Sequence, residues 1–162
     1  MRSTFSLLGV PVTLRPSALV AGSLSALIVA LVSREHRIAQ SAAAGMFWYS
    51  ADCAHVVGHI ISSQAVGAPL DALDFGLYPK SVYFDDDVSP QQHIGRACGG
   101  VTASLIATFI LAALARRVRY PLGRRLITIA AAQHAILTIL SLLPVRYVDG
   151  GVIYANLLKL RR

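Results

Sequence analysis

Two histidines stand four residues apart in the apolar stretch CAHVVGHI, residues 53–60. In an α-helix, His55 and His59 would lie one turn apart on the same face, and imidazoles are common zinc ligands. A helical zinc site of the H-E-x-x-H type carries a glutamate directly after the first histidine, where it serves as general base. Here that residue is Val56. The motif therefore indicates a metal site whose capacity for hydrolysis is in question.

Asp52 lies three residues before His55 and falls on the same helical stripe. A carboxylate and two imidazoles are costly to leave unpaired in an apolar segment, so we expect them to be bound. Hydrogen-bonded core histidines are the alternative, but a histidine pair beside a carboxylate favours a metal. For Asp52 we expect a hydrogen bond to a zinc-bound histidine, or plain structural pairing. A fourth ligand and a substitute general base are the other interpretations.

A zinc site that keeps one position open for water has three protein ligands, and Asp149 is the candidate for the third. It lies in LLPVRYVDGGVIYANLL, where Pro144 is expected to end a helix and the chain turns at Gly150 and Gly151. A carboxylate at a break between two helical segments can reach a neighbouring helix. The alternative role for Asp149 is the N-cap of the segment that follows, and both roles are compatible.

The elements that must position these residues are long and apolar. Mean hydropathy is +0.59, 55% of the residues are hydrophobic and only 14% are charged, with the charges clustered. This composition predicts an all-α integral membrane protein that crosses the bilayer several times. A soluble helical bundle is disfavoured, because its helices carry charged or polar residues on one face, whereas these stretches are nearly uncharged. We predict about four transmembrane helices, at residues 16–33, 38–64, 97–115 and 126–145.

The segments between the spans are assigned to the membrane surface. Because an extended polar segment cannot lie in lipid, the stretch from Leu70 to about Val88 is expected to form short strands that pair with Gly9–Leu14. The acidic run at residues 85–87 is interpreted as a solvated turn. We predict an N-terminal strand or hairpin at 1–15, an extramembrane loop at 66–94 and a C-terminal helical segment at 149–162, all within a single membrane domain of residues 1–162.

The formal net charge is +7, and five arginines crowd between the third and fourth spans. A nucleic-acid site is a possible use of such a cluster. A basic loop between two spans is more simply an anchor that faces anionic lipid, so we expect membrane lipid as a partner and no nucleic acid. These arginines are Arg116, Arg117, Arg119, Arg124 and Arg125.

The order of these motifs resembles the site-2 protease family, the intramembrane zinc metalloproteases. LGVPVTLRPS resembles its N-terminal strand, HVVGH its H-E-x-x-H helix, ACGGVTASLIA its A-G-P-x-x-N segment, and LSLLPVRYVDGG its N-L-L-P and L-D-G motifs. The resemblance covers nearly the whole chain. It implies a site-2 protease-like helical core with a small β-containing extramembrane loop, and one zinc ion bound by His55, His59 and Asp149.

The chain departs from the family pattern at polar and turn-setting positions. Val56 replaces the glutamate that takes a proton from zinc-bound water, Gly100 and Ala103 replace a proline and an asparagine, and Ser141 replaces a second asparagine. Proton transfer typically contributes roughly 10²–10⁴-fold to rate, and an asparagine is expected to help hold the substrate strand. Proton transfer and substrate binding are therefore both expected to be weakened.

These departures predict a site-2-protease-like membrane protein that keeps its zinc site but lacks the general base. It would act as a pseudoprotease or as a structural or partner-binding subunit, with a transmembrane protein partner or a larger membrane complex. The alternative is an active intramembrane zinc metalloprotease that uses Asp52 or another group as base. A transporter or channel is a weaker interpretation, because one polar cluster offers no continuous path.

Overall fold

The computed structural model describes residues 5–84 and 87–161, which form five α-helices and a small four-stranded sheet. Two strands precede the first two helices, two more follow them, and three helices complete the chain. The predicted mostly helical architecture with a small sheet is confirmed. The elements are β1 (Phe5–Leu7), β2 (Val10–Leu14), α1 (Ala18–Val32), α2 (Arg37–Ala65), β3 (Ala72–Phe75), β4 (Pro79–Val82), α3 (Pro90–Arg117), α4 (Pro121–Ser141) and α5 (Asp149–Leu160).

Three helix boundaries differ from the sequence prediction by four residues or more, and one of them is the start of α4, at Pro121 rather than near residue 126. Helix α3 begins at Pro90 rather than near residue 97, because Ser89 and Gln92 form a capping box and proline suits the first helical position. The extramembrane loop is correspondingly shorter than predicted. Helix α4 ends at Ser141 rather than near residue 145, so Pro144 lies in the turn beyond it.

The sheet has the strand order β1-β2-β3-β4. Strands β1 and β2 form an antiparallel hairpin whose turn residues, Leu8 and Gly9, have positive φ angles of 50° and 83°. Strand β2 then pairs in parallel with β3, with Val12 opposite Leu73, and β3 pairs antiparallel with β4. The predicted pairing between the N-terminal strand and the 70–88 segment is therefore confirmed. Of the acidic run, residues 85 and 86 lie outside the described residues, and Asp87 is exposed.

The sheet packs on one face of α2 through an apolar cluster. Within this cluster Val56 and Ile60 of α2 are each 1% exposed. Their partners from the sheet side are Val10, Val12, Leu70 and Leu73. Helix α2 also contacts α1, α3 and α4, so it is the central element of the bundle.

Helices α2 and α3 approach very closely where Gly58 faces Gly99. A Cβ atom on either glycine would overlap the carbonyl oxygen of the other. A side chain at either position would therefore force the two helix axes apart. This close contact brings the histidines of α2 directly beneath α3.

Among the described helices, α3 alone is both long and apolar enough to cross a bilayer, and α1 is apolar but shorter. Helix α2 carries Asp52 and the two histidines, and α4 begins with Arg124 and Arg125 in its first turns. These polar groups reduce the hydropathy of both helices. The four predicted transmembrane helices are thus present as α1 to α4, but their membrane crossing is not confirmed by length and hydropathy.

Candidate metal centre

The side chains of the two histidines of α2, His55 and His59, meet beneath α3. His55 is 7% exposed and His59 is 8% exposed, and their Nε2 atoms lie 3.1 Å apart. The rings meet edge to face, with centroids 4.7 Å apart and planes at 81°. The one-turn spacing read from the sequence therefore places two ring nitrogens at a common point.

Asp149 reaches this point from the other end of the chain. Its Oδ2 atom lies 3.2 Å from Nε2 of His55, and its Oδ1 atom lies 3.4 Å from Nε2 of His59. Asp149 is the first residue of α5, and Val148 takes the N-cap position. The alternative that Asp149 caps this helix is therefore wrong. The sequence prediction that its carboxylate converges with both imidazoles is confirmed.

The separations between these groups are close to the distances between neighbouring ligand atoms in a zinc site. In a tetrahedral site with zinc–ligand distances of about 2.0–2.1 Å, neighbouring ligand atoms lie about 3.3 Å apart. The separations here are 3.1, 3.2 and 3.4 Å, and one ligand atom from each residue fits within 4.8 Å of the others. The two imidazoles and the carboxylate therefore lie close enough together to hold one zinc ion, with Oδ2 of Asp149 nearest His55 and Oδ1 nearest His59.

The outer ring nitrogens are also fixed by hydrogen bonds. Nδ1 of His59 lies 2.8 Å from the main-chain carbonyl of Arg96, which can only accept, so this nitrogen carries the proton. A neutral His59 ring then presents an unprotonated Nε2 to the centre, as a metal ligand must. Nδ1 of His55 is held by the hydroxyl of Ser104 at 3.0 Å. Such outer contacts set the orientation of metal-binding histidines.

Arg96 and Ser104 were not predicted as site residues from the sequence, although the sequence contains a signal for them. Arg96, Gly100 and Ser104 follow one another at intervals of four residues, which places them on one face of α3. All three are buried. That face covers the histidine rings, so polar and small residues at i, i+4 and i+8 were the available indication.

Gly100 has a steric role at the centre. A Cβ atom at this position would lie 2.7 Å from Nε2 of His55 and would overlap Nε2 of His59. No side chain larger than hydrogen fits while both rings keep their places. The glycine found where the family pattern has a proline therefore leaves room for the two ligands.

Asp52 lies in the wall of the same cavity but does not hold the histidines. It is 6% exposed and makes no hydrogen bond or ion pair with any residue of the described ranges. The Nδ1 atoms that it was expected to bind are occupied by Arg96 and Ser104. Its role beside a bound metal stays a prediction.

Val56 faces away from this polar centre. It is enclosed in the apolar cluster between α2 and the sheet, and it does not line the cavity that contains His55, His59 and Asp149. Its side chain has no lone pair that could accept a proton. The position that follows the first histidine thus contributes to packing in this chain.

The cavity has a volume of about 460 Å³ and opens between the sheet and the helical bundle. Strand β4 and its flanks form one wall, and α4, α5 and the turn between them form another. Ser141, which replaces the second asparagine of the family pattern, lies in this wall. Besides the three candidate ligands, the cavity is lined by Trp48, Asp52, Tyr78, Lys80, Tyr83, Leu137 and Val152, among others.

Comparisons with known proteins identify the fold. No known family of protein sequences matches this chain, and no curated protein sequence matches it. Among solved structures, the chain is similar to the site-2 protease from Methanocaldococcus jannaschii, with a TM-score of 0.72 and 15% sequence identity. The similarity covers 97% of this chain and 71% of that protein. The chain therefore has a site-2 protease-like fold.

Proposed function

We propose that this chain is a multi-pass membrane protein that binds one zinc ion and acts without peptidase activity, as a pseudoprotease or partner-binding subunit. The proposal rests on two neighbouring residues, His55 and Val56. His55 points into a site with the geometry of a zinc centre, whereas Val56, at the position of the general base, lies in an apolar cluster. The ligands of a metalloprotease are thus present without the group that moves the proton.

Membrane placement is supported by the surface of the helices. Most of the large apolar side chains of α1 and α3 are exposed, among them Leu27 and Leu31 on α1 and Phe109 and Ile110 on α3. Burying such surface in lipid contributes roughly 25 cal/mol per Å² relative to water. The site-2 protease-like fold supports the same placement, and α1 to α4 are the proposed spans.

Zinc is the proposed metal because the donor set is two imidazoles and one carboxylate with room for a fourth ligand. When bound, the ion supplies Lewis acidity to whatever occupies that fourth position. Neighbouring residues of the chain keep these ligand side chains in position. Arg96 and Ser104 fix the ring orientations, and Asp149 brings a negative charge from α5.

The absence of a base at position 56 weakens hydrolysis strongly. General acid–base catalysis typically contributes roughly 10²–10⁴-fold to rate. Peptide hydrolysis also requires a proton for the leaving amine, and valine can neither accept nor deliver one. The cavity then serves to bind a segment of a transmembrane partner, and its apolar and aromatic lining supports this use.

One observation favours a second function, a working intramembrane metalloprotease. The Asp52 carboxylate lies in the cavity wall without a hydrogen bond to any described residue, so it is available to act as a base. In the site-2 protease-like fold, this residue would replace the missing glutamate. The two proposals differ in whether zinc-dependent cleavage exists and whether it needs Asp52.

The experiment compares cleavage of a site-2-type transmembrane substrate by four purified proteins in lipid vesicles: the wild type, His55→Ala, Asp52→Asn and Ser50→Ala. Ser50→Ala is the matched control, because Ser50 is exposed on α2 and bonds only within its own helix. The pseudoprotease proposal expects no zinc-dependent cleavage by any of them. Cleavage that is lost in His55→Ala and Asp52→Asn but kept in Ser50→Ala would establish the alternative.

A further inference from the structure

One end of the bundle carries a large excess of positive charge. The α1–α2 loop and the α3–α4 loop lie at the same end, because Nη1 of Arg125 is 2.7 Å from Oε2 of Glu35. Glu35 is the single acidic residue in these two segments, residues 33–37 and 116–125. The arginines of these segments are Arg34, Arg37, Arg116, Arg117, Arg119, Arg124 and Arg125.

A cavity of about 420 Å³ opens at this end, between the last turns of α3 and the first turns of α4. Its apolar walls are alanines, and these small side chains leave the space between the helices unfilled. Arg116 and Arg124 stand at the cavity, one from each helix. The lining residues are Ala112, Ala115, Arg116, Arg124, Thr128 and Ala131.

The two arginines of this cavity have their charges available. Arg125 is paired with Glu35, whereas the side chains of Arg116 and Arg124 make no hydrogen bond or ion pair with residues 5–84 or 87–161. Two guanidinium groups from adjacent helices offer several N–H donors to one tetrahedral anion. The site therefore combines a two-arginine anion clamp with an apolar groove.

We propose that this cavity binds an anionic phospholipid. Helix α3, the described helix that is long and apolar enough to span a bilayer, ends at Arg117, which places Arg116 at the depth of the lipid headgroups. Arg116 and Arg124 bind the headgroup phosphate, and the alanine-lined groove accepts the upper part of an acyl chain. This inference rests on the membrane placement proposed above and is independent of zinc.

The arrangement favours lipid over nucleic acid as the anion. A nucleic-acid site presents basic residues along a surface that follows successive phosphates. Here two arginines converge on one cavity, and alanines continue from them towards the middle of α3 and α4. A single phosphate that is attached to an apolar chain matches this combination of charge and shape.

The test is native mass spectrometry of the full-length protein purified in detergent, titrated with phosphatidylglycerol or with phosphatidylcholine. The wild type is expected to retain phosphatidylglycerol in preference. Arg116→Gln with Arg124→Gln is expected to weaken retention roughly 100-fold, since each hydrogen bond to a charged group contributes at least about tenfold. The matched control is Arg117→Gln with Arg119→Gln, which removes the same charge at residues that do not line the cavity, so retention should change by less than about fivefold.

Four results would overturn the inference. They are equal weakening by both double variants, equal retention of the two lipids, no retained lipid, and displacement of phosphatidylglycerol by a short DNA duplex at physiological salt. Fractionation of cell membranes with a carbonate wash tests membrane placement separately. A protein that stays in the washed membrane but retains no phosphatidylglycerol would disprove the lipid site alone, whereas release by the wash would disprove the membrane proposal itself.

Discussion

Gly100 of α3 lies so close to His59 of α2 that a single Cβ atom at position 100 would overlap the Nε2 atom of the ring. We therefore predict that Gly100→Ala loses most of its zinc, because the imidazole must turn away from the ligand position. Elemental analysis of the purified variant measures the loss. The control is Gly45→Ala, also within a helix, whose new Cβ atom would meet its nearest neighbour at an ordinary 3.4 Å. Full zinc content in Gly100→Ala would contradict the proposed geometry.

A second prediction concerns the contact between α2 and α3. A Cβ atom on Gly58 would overlap the main-chain carbonyl of Gly99, and backbone cannot move aside as a flexible side chain can. Gly58→Ala should therefore reduce the free energy of unfolding by roughly 1–3 kcal/mol, the usual cost of overpacking. Unfolding of the detergent-solubilised protein measures this, again with Gly45→Ala as control. Equal stability of the two variants would show that the helices are less tightly packed than the structure has them.

The third prediction is for Val56→Glu, the change that restores the family's motif. Val56 is 1% exposed among apolar neighbours, so an ionised glutamate there should destabilise the fold by several kcal/mol. Val56→Gln has nearly the same size without the charge and should be less destabilised. If Val56→Glu is instead as stable as the wild type and gains zinc-dependent cleavage, its side chain reaches the metal centre, and the packing role assigned to Val56 is wrong.

A fourth prediction concerns acid. Hydrogen bonds from Arg15 to Asp74, at 2.6 Å from Nε to Oδ1 and 2.6 Å from Nη2 to Oδ2, hold the pKa of that carboxyl below its usual range. Because the pKa is lower in the folded protein, the pair stabilises the fold fully above the unfolded-state pKa of about 3.9 and loses this effect as pH falls through the folded-state value.

Asp74→Asn should therefore be slightly less stable than the wild type at pH 7, with a small difference because the Arg15 side chain is 49% exposed and its charge is screened by water. The difference should close as pH falls through the folded-state pKa of Asp74. Denaturant unfolding at pH 7 and in steps down to about pH 2 measures it, and Arg15→Gln should behave in the same way. A difference that persists at the lower pH would mean that Asp74 stabilises the sheet through contacts other than its charge.

Much of the candidate centre could be predicted from the sequence, because helical periodicity alone puts His55 and His59 on one face. The convergence of Asp149 required more. It depends on how α5 packs against the other helices. The resemblance to the site-2 protease family, and not residue spacing, indicated that Asp149 joins the two histidines. The hydrogen bonds between His55 and Ser104 and from His59 to the Arg96 carbonyl could not be predicted, because they depend on the rotation of α3 about its own axis. The close approach of Gly58 and Gly99 brings the two helices together at this point.

The helices predicted to cross the membrane show a different limit. The apolar runs predicted four helices, and α1 to α4 lie close to the predicted ranges. Their ends depend on local chemistry: the Ser89 capping box extends α3 towards its N-terminus, and α4 stops at Ser141, three residues before Pro144. A hydropathy value counts the polar residues within α2 but cannot distinguish a buried polar site from a water-exposed surface.

We propose that His55, His59 and Asp149 together bind one zinc ion. The most direct test is elemental analysis of the purified wild type beside His55→Ala and Asp149→Ala, with thermal unfolding to confirm that each variant is folded. We expect about one zinc per wild-type chain and little in either folded variant, since removing one of three ligands leaves too few to hold the ion. Zinc absent from the wild type, or present equally in all three proteins, would contradict this proposal.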